Sequence, residues 1–150
     1  MVPPLLFPVG MAAEGTPRRM QVPRTGRILV IADEPEVIDA LTEYFADLDY
    51  ETHGALAIQG AAAVIDSRPP DVILLDVQMP KLTEVLKELR ARCPRVPLLV
   101  AAGNAETVRQ IRALGAYACV HKPFVWDALR YRVAIAVEST LRARAHTQPA

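Results

Sequence analysis

The chain predicts an α/β fold, a doubly wound parallel sheet of five strands with helices on both faces. Three observations carry that prediction. Short apolar runs recur along the sequence, unbroken rather than alternating; longer stretches with helical apolar spacing separate them; and Pro or Gly falls at several junctions. An unbroken apolar run suits a strand covered on both faces, and a parallel partner needs a crossover of helix length.

The elements follow in order. RILVIA (27–32) is the first strand, and the helix after it carries Val37, Leu41, Tyr44, Phe45 and Leu48 along one side, with Pro35 in its first turn. YETH (50–53) is a short second strand, and ALAIQGAAAVIDS (55–67) a small-residue helix halted before Pro69 and Pro70. DVILLD (71–76) is the third strand, and KLTEVLKELRARC (81–93) is a helix with Leu82, Val85, Leu86 and Leu89 inward, ended by Pro94. PLLVAAG (97–103) supplies the fourth strand, and AETVRQIRALG (105–115) a helix with Val108, Ile111 and Leu114 inward and Gly115 as its stop. ACVH (118–121) is the fifth strand. The last helix runs from Val125 to Arg142 on Leu129, Val133, Ala136 or Val137, and Leu141. Right-handed crossovers wind these units into strand order 2-1-3-4-5, with the carboxyl ends of strands one and three adjacent, so Asp33 and Asp76 become neighbours.

At 150 residues and 51% hydrophobic, the chain is sized for one domain with a sizeable core. Lys plus Arg and Asp plus Glu each number 17, which gives no basic field to draw the domain onto nucleic acid or a membrane. Cys93 and Cys119 lack metal-ligand spacing and suit a reducing cytoplasm. The opening MVPPLLFPVG is too proline-rich for a signal peptide or a span. Residues 1–24 are expected to be a mobile leader, 25–144 the domain, and 145–150 a frayed tail.

IADEP after strand one, LLDVQMP after strand three and HKPF after strand five, in this order within a (βα)₅ pattern, resemble the receiver domain of bacterial two-component response regulators, a flavodoxin-like fold. The resemblance covers roughly Arg27 to Leu141. It implies that Asp76 is a phosphoacceptor, a carboxylate nucleophile that forms an acyl phosphate. It implies that Asp33, Asp76 and the backbone carbonyl of Gln78 hold Mg²⁺, that Lys122 pairs with Asp76 and then with the phosphoryl group, and that Pro123 follows a cis peptide.

Other positions depart from the family pattern. Ala32 stands where a second acid helps to hold the metal, so Mg²⁺ is expected to bind weakly or not at all. Ala102 replaces the Ser or Thr whose hydroxyl reaches the phosphoryl group, and Cys119 replaces the aromatic switch residue. The loop after Pro80 is about two residues short of the family pattern, and the helix after it is expected to be shortened or displaced.

Several residues carry a plainer meaning beside a functional one. Glu34 could stand in for the missing acid but reads better as an exposed first-turn glutamate. His121 reads as packed or solvated rather than as a ligand, and Cys119 as buried filler rather than a redox sensor. Arg109, Arg112, Arg130 and Trp126 are expected to form a partner face on helix four, strand five and helix five, as receivers use that face.

The leading function is a signalling module, not an enzyme, that binds a protein partner such as a histidine kinase or a phosphotransfer protein, as a monomer or a weak homodimer through that face. Its partly degenerate Asp76 site points to a receiver that works independently of phosphorylation. The alternative is a phospho-accepting receiver with a working switch. More remote are a small phosphatase, which would want a second acid where Gln78 stands, and a nucleotide binder, which would want a Gly- or Ser/Thr-rich loop where ADEPEV stands. No helix-turn-helix pattern remains once the five units are assigned.

Overall fold

A computed structural model describes residues 26–115 and 118–147. The leader over 1–24 and the end of the expected tail at 148–150 lie outside the described residues. The elements are β1 (Arg27–Ala32), α1 (Pro35–Ala46), β2 (Glu51–Ala55), α2 (Ile58–Ser67), β3 (Val72–Asp76), α3 (Lys81–Arg92), β4 (Leu98–Ala102), α4 (Ala105–Ala113), β5 (Ala118–His121) and α5 (Trp126–Thr147). The strands are all parallel in the order β2-β1-β3-β4-β5, as expected.

The unbroken apolar runs divide between two cores. Leu29 and Ile31 of β1, Ile73 and Leu75 of β3, and Leu98 and Val100 of β4 point to one face, under α2, α3 and α4. Ile28, Val30, Val72, Leu74, Leu99 and Ala101 point to the other, under α1 and α5. Period-two alternation is therefore present, but both sets are apolar because both faces are covered. The helices differ in how deeply they seat. All four inward residues of α3 are buried, whereas α4 buries only Ile111, with Val108 and Leu114 partly covered.

Three boundaries differ from the sequence expectation. β2 extends to Ala55, which shortens α2 to a start at Ile58. Gly54 permits that extension: a Cβ there would lie 2.3 Å from Ile38 Cγ2 of α1, so only glycine lets strand and helix approach. At twelve residues α3 is not shortened. α5 runs past Arg142 to Thr147, and its last turns are tied down.

The tie is Asp71, which sits just before β3 and is 3% exposed. Its carboxylate accepts from the Arg27 N–H at 2.7 Å and from the Arg144 guanidinium, while its carbonyl accepts from the Thr140 hydroxyl at 2.7 Å. One acid thus joins β1, β3 and α5 at the sheet edge opposite Asp76. Asp71→Ala strands the buried Arg27 N–H, so the folded state should lose about 1–3 kcal/mol. Urea denaturation should show a lower midpoint with an unchanged slope, and an unchanged midpoint would count against the tie.

Candidate functional site

The site stands where the apolar strands end. Asp76 is the last residue of β3 and pairs in register with Ala32, the last of β1. The parallel twisted sheet brings these carboxyl ends to one edge, where the crossovers leave a crevice.

Asp76 is 8% exposed, and its Oδ1 accepts from the Lys122 ammonium at 2.9 Å. Lys122 is positioned by its own N–H, which donates to the Ala102 carbonyl at 3.0 Å, and by the cis peptide to Pro123. Asp33 stands across the crevice. Its N–H donates to the Asp76 carbonyl at 3.3 Å, and its Oδ2 accepts from the Gln78 N–H at 2.9 Å. The three residues expected to converge, Asp33, Asp76 and Lys122, do converge.

Gln78 is placed beside them, with a complication for its carbonyl. Because α3 begins so soon after β3, the Gln78 carbonyl accepts from the Leu82 N–H at 3.0 Å and opens the first turn of that helix. One lone pair is therefore engaged before any metal arrives. With Ala32 contributing no oxygen, the donor set is two carboxylates and part of a carbonyl. Each carboxylate already has an ammonium partner or neighbour, Lys122 on Asp76 at 2.9 Å and Lys81 near Asp33 at 3.6 Å. Among the described residues no group of three or more His, Cys, Asp or Glu is gathered to hold a metal. These residues offer an incomplete part of the near-octahedral oxygen set that Mg²⁺ takes.

Ala102 is 1% exposed and lines a cavity of about 210 Å³ with Lys122, Gln78, Asn104 and Thr107. The family's hydroxyl is absent from β4, but Thr107, in the first turn of α4, supplies the one hydroxyl of this cavity lining. Asn104 caps α4 by accepting from the Thr107 N–H at 2.9 Å.

The remaining candidates are more scattered. Cys119 is buried with Ile111 under α4, and Glu34 is the exposed residue preceding α1. His121 is exposed at the end of β5. Burial pushes the Cys93 thiol up, which suits filler rather than a reactive thiolate. The four residues expected on one partner face do not meet. Arg109 and Arg112 are exposed on α4, with Arg109 paired to Glu106. Trp126 instead stacks against Tyr44 of α1 at a centroid distance of 4.5 Å, and Arg130 acts on Tyr50, on that same α1 side. α5 follows both α1 and β5, so its two flanks serve different faces.

Sequence reasoning missed Lys81, Thr107 and a second cis peptide, Met79–Pro80. The short β3–α3 connection was a signal for Lys81, since it starts the helix right beside the crevice.

Comparison with known proteins agrees with this geometry. Residues 28–134 match the family model of the response regulator receiver domain. The chain is 35% identical over 116 residues to the regulatory protein AtoC of Escherichia coli, covering 75% of this chain and 25% of AtoC. It is 32% identical over 126 residues to the transcriptional regulatory protein KdpE of Mycobacterium tuberculosis, covering 81% of this chain and 55% of KdpE. It thus spans a quarter to about half the length of these curated relatives. The receiver domain of the Francisella response regulator 1452 superposes with a TM-score of 0.68 at 26% identity, over 77% of this chain and 99% of that domain. With residues 28–134 matching the family model and the family's strand order in place, the chain belongs to the response regulator receiver domain family of two-component signalling.

Proposed function

We propose that this receiver accepts a phosphoryl group on Asp76 with little conformational response, and acts mainly by binding a protein partner. One observation carries the proposal: next to the Asp76–Lys122 pair, β4 ends in the buried methyl of Ala102 rather than in a hydroxyl. Asp76 keeps its oxygen nucleophile and its lysine, which suffices for attack on a phosphodonor. The contact that would draw the end of β4 toward the product is missing. A charge-assisted hydrogen bond contributes about 1.5–3 kcal/mol. Moving a two-state equilibrium from 1:99 to 99:1 takes roughly 5.5 kcal/mol. Losing that one contact removes a large share of the switching energy.

Weak affinity for Mg²⁺ belongs to the same proposal, since the metal's oxygen set is incomplete. If bound, Mg²⁺ would be held by Asp33, Asp76 and what remains of the Gln78 carbonyl, and would neutralise phosphoryl charge.

A histidine kinase or phosphotransfer protein is the proposed donor, and neither nucleic acid nor membrane is a proposed partner. No described helix is long and apolar enough to cross a membrane. The proposed interaction face combines Arg109 and Arg112 of α4 with the β5 flank of α5. There Val125 is 67% exposed, and Val125, Ala128 and Arg132 line a cavity of about 130 Å³ against Cys119 and Phe124.

A second reading is favoured by Thr107. Its place in the cavity beside Lys122 lets α4 itself supply a hydroxyl, and the receiver would then switch by an altered contact.

Two measurements separate these. Acetyl phosphate should label wild type and not Asp76→Asn, and labelling should shift NMR signals near Asp33, Asp76 and Lys122 while leaving α4 and Cys119 nearly unmoved. Ala102→Thr, with or without Ala32→Asp, should extend the response into α4. A strong wild-type response in α4 that Thr107→Val abolishes would establish the second reading instead.

Charge reversal of Arg109 and Arg112 should weaken partner capture or self-association, while stability changes by less than about 0.5 kcal/mol, as exposed substitutions do. Binding that both variants leave intact would move the interface elsewhere.

A further inference from the structure

We infer that Lys81 is a tethered cation that takes over part of a divalent metal's role at Asp33, so that two lysines together offset part of the charge of the incoming phosphoryl group. The inference rests on Asp76 being the phosphoacceptor. Only Val77 to Pro80 separate β3 from α3, and Lys81 is the first helical residue. Its Nζ lies 3.6 Å from Oδ1 of Asp33, while Oδ2 of the same carboxylate is held by the Gln78 N–H at 2.9 Å. Asp33 opens onto a cavity of about 400 Å³ whose lining includes Glu84 and Glu88, and Lys81 is the single basic residue of that lining.

Before transfer, Asp33 and Asp76 present two carboxylates to the ammoniums of Lys81 and Lys122, Ala32 adds no further acid at the strand end, and Glu84 and Glu88 line the cavity onto which Asp33 opens. The two lysines differ in freedom. Lys122 is fixed, its side chain 30% exposed against a 9% exposed Asp76, whereas the Lys81 side chain is 68% exposed and free to pivot on its four-carbon stem. During transfer from acetyl phosphate, an Asp76 oxygen forms the new P–O bond as the bond to acetate breaks, and acetate leaves with the electron pair. Lys81 is then free to turn from Asp33 toward the phosphoryl oxygens, while Lys122 stays at Asp76.

The same pairing makes Lys81 a competitor of any divalent cation for Asp33. An exposed ion pair is weak, so the competition should be worth a factor of about two to five. Calorimetric titration of the full chain with Mg²⁺ should show Lys81→Gln binding tighter than wild type by that factor, and Asp33→Asn with Lys81→Gln losing the gain. Acetyl-phosphate labelling in EDTA should proceed in wild type and in Lys81→Arg. It should slow by about the same factor or more in Lys81→Gln and recover on adding Mg²⁺. Equal Mg²⁺ affinity in wild type and Lys81→Gln overturns the inference, whatever the labelling does. A wild type that resists labelling with and without Mg²⁺ overturns the phosphoacceptor reading instead, and the calorimetry then decides the competition by itself.

Discussion

A parallel sheet covered on both faces can carry polar chemistry only where its strands stop. The interiors of β1, β3 and β4 are committed to two apolar cores, so a buried carboxylate within β1 or β3 would face hydrocarbon with no water to solvate it. At the carboxyl edge the crossovers part, and Asp76 can be 8% exposed yet paired with an ammonium. The opposite edge obeys the same rule. Asp71 is buried there too, and its acceptors are filled by Arg27, Arg144 and Thr140. Two acids that flank the same strand thus have different fates. Asp71 is enclosed by donors from three elements and holds the fold together, while Asp76 faces a crevice and keeps room for a reactant.

That constraint explains what the sequence disclosed. Unbroken apolar runs, Pro35 at a helix start, Pro69, Pro70 and Pro94 after helix ends, and Gly115 at φ +88° are local signals, and each placed its element to within a few residues. Strand order followed from handed crossovers, which made Asp33 and Asp76 neighbours, whereas the place of Lys122 beside Asp76 followed from the family resemblance. What stayed illegible depends on distant partners. The length of β2 rests on Gly54 meeting Ile38, and the end of α5 on Arg144 meeting Asp71, contacts separated by many residues in sequence. The flank on which Trp126 lies needs the rotation of α5 about its own axis, which a stripe as broad as that of this helix leaves loose. Tyr44 settles it.

The β3–α3 connection shows how one deletion reaches several functions. Starting α3 at Lys81 commits the Gln78 carbonyl to the Leu82 N–H and so weakens a metal ligand. It also places an ammonium near Asp33. One lone pair is engaged and a pivoting ammonium is brought near by the same helix start. The sequence displayed the short loop, yet its consequence required knowing that α3 keeps its full twelve residues and starts early rather than being cut.

The site reaches the rest of the molecule by two routes of unequal strength. The route to β5 is backbone: the Ala102 carbonyl accepts from the Lys122 N–H at 3.0 Å, a bond that no side-chain replacement removes. The route to α4 depends on side chains, and there β4 ends in the buried methyl of Ala102 and β5 carries the small, buried Cys119. Yet α4 is the helix with the shallowest seat, anchored by one fully buried residue, Ile111, and capped by Asn104 beside the site. A helix so lightly seated is the one a partner could reposition by contact, and under the proposed function a partner bound at Arg109 and Arg112 sets its position more readily than phosphoryl chemistry at Asp76 does.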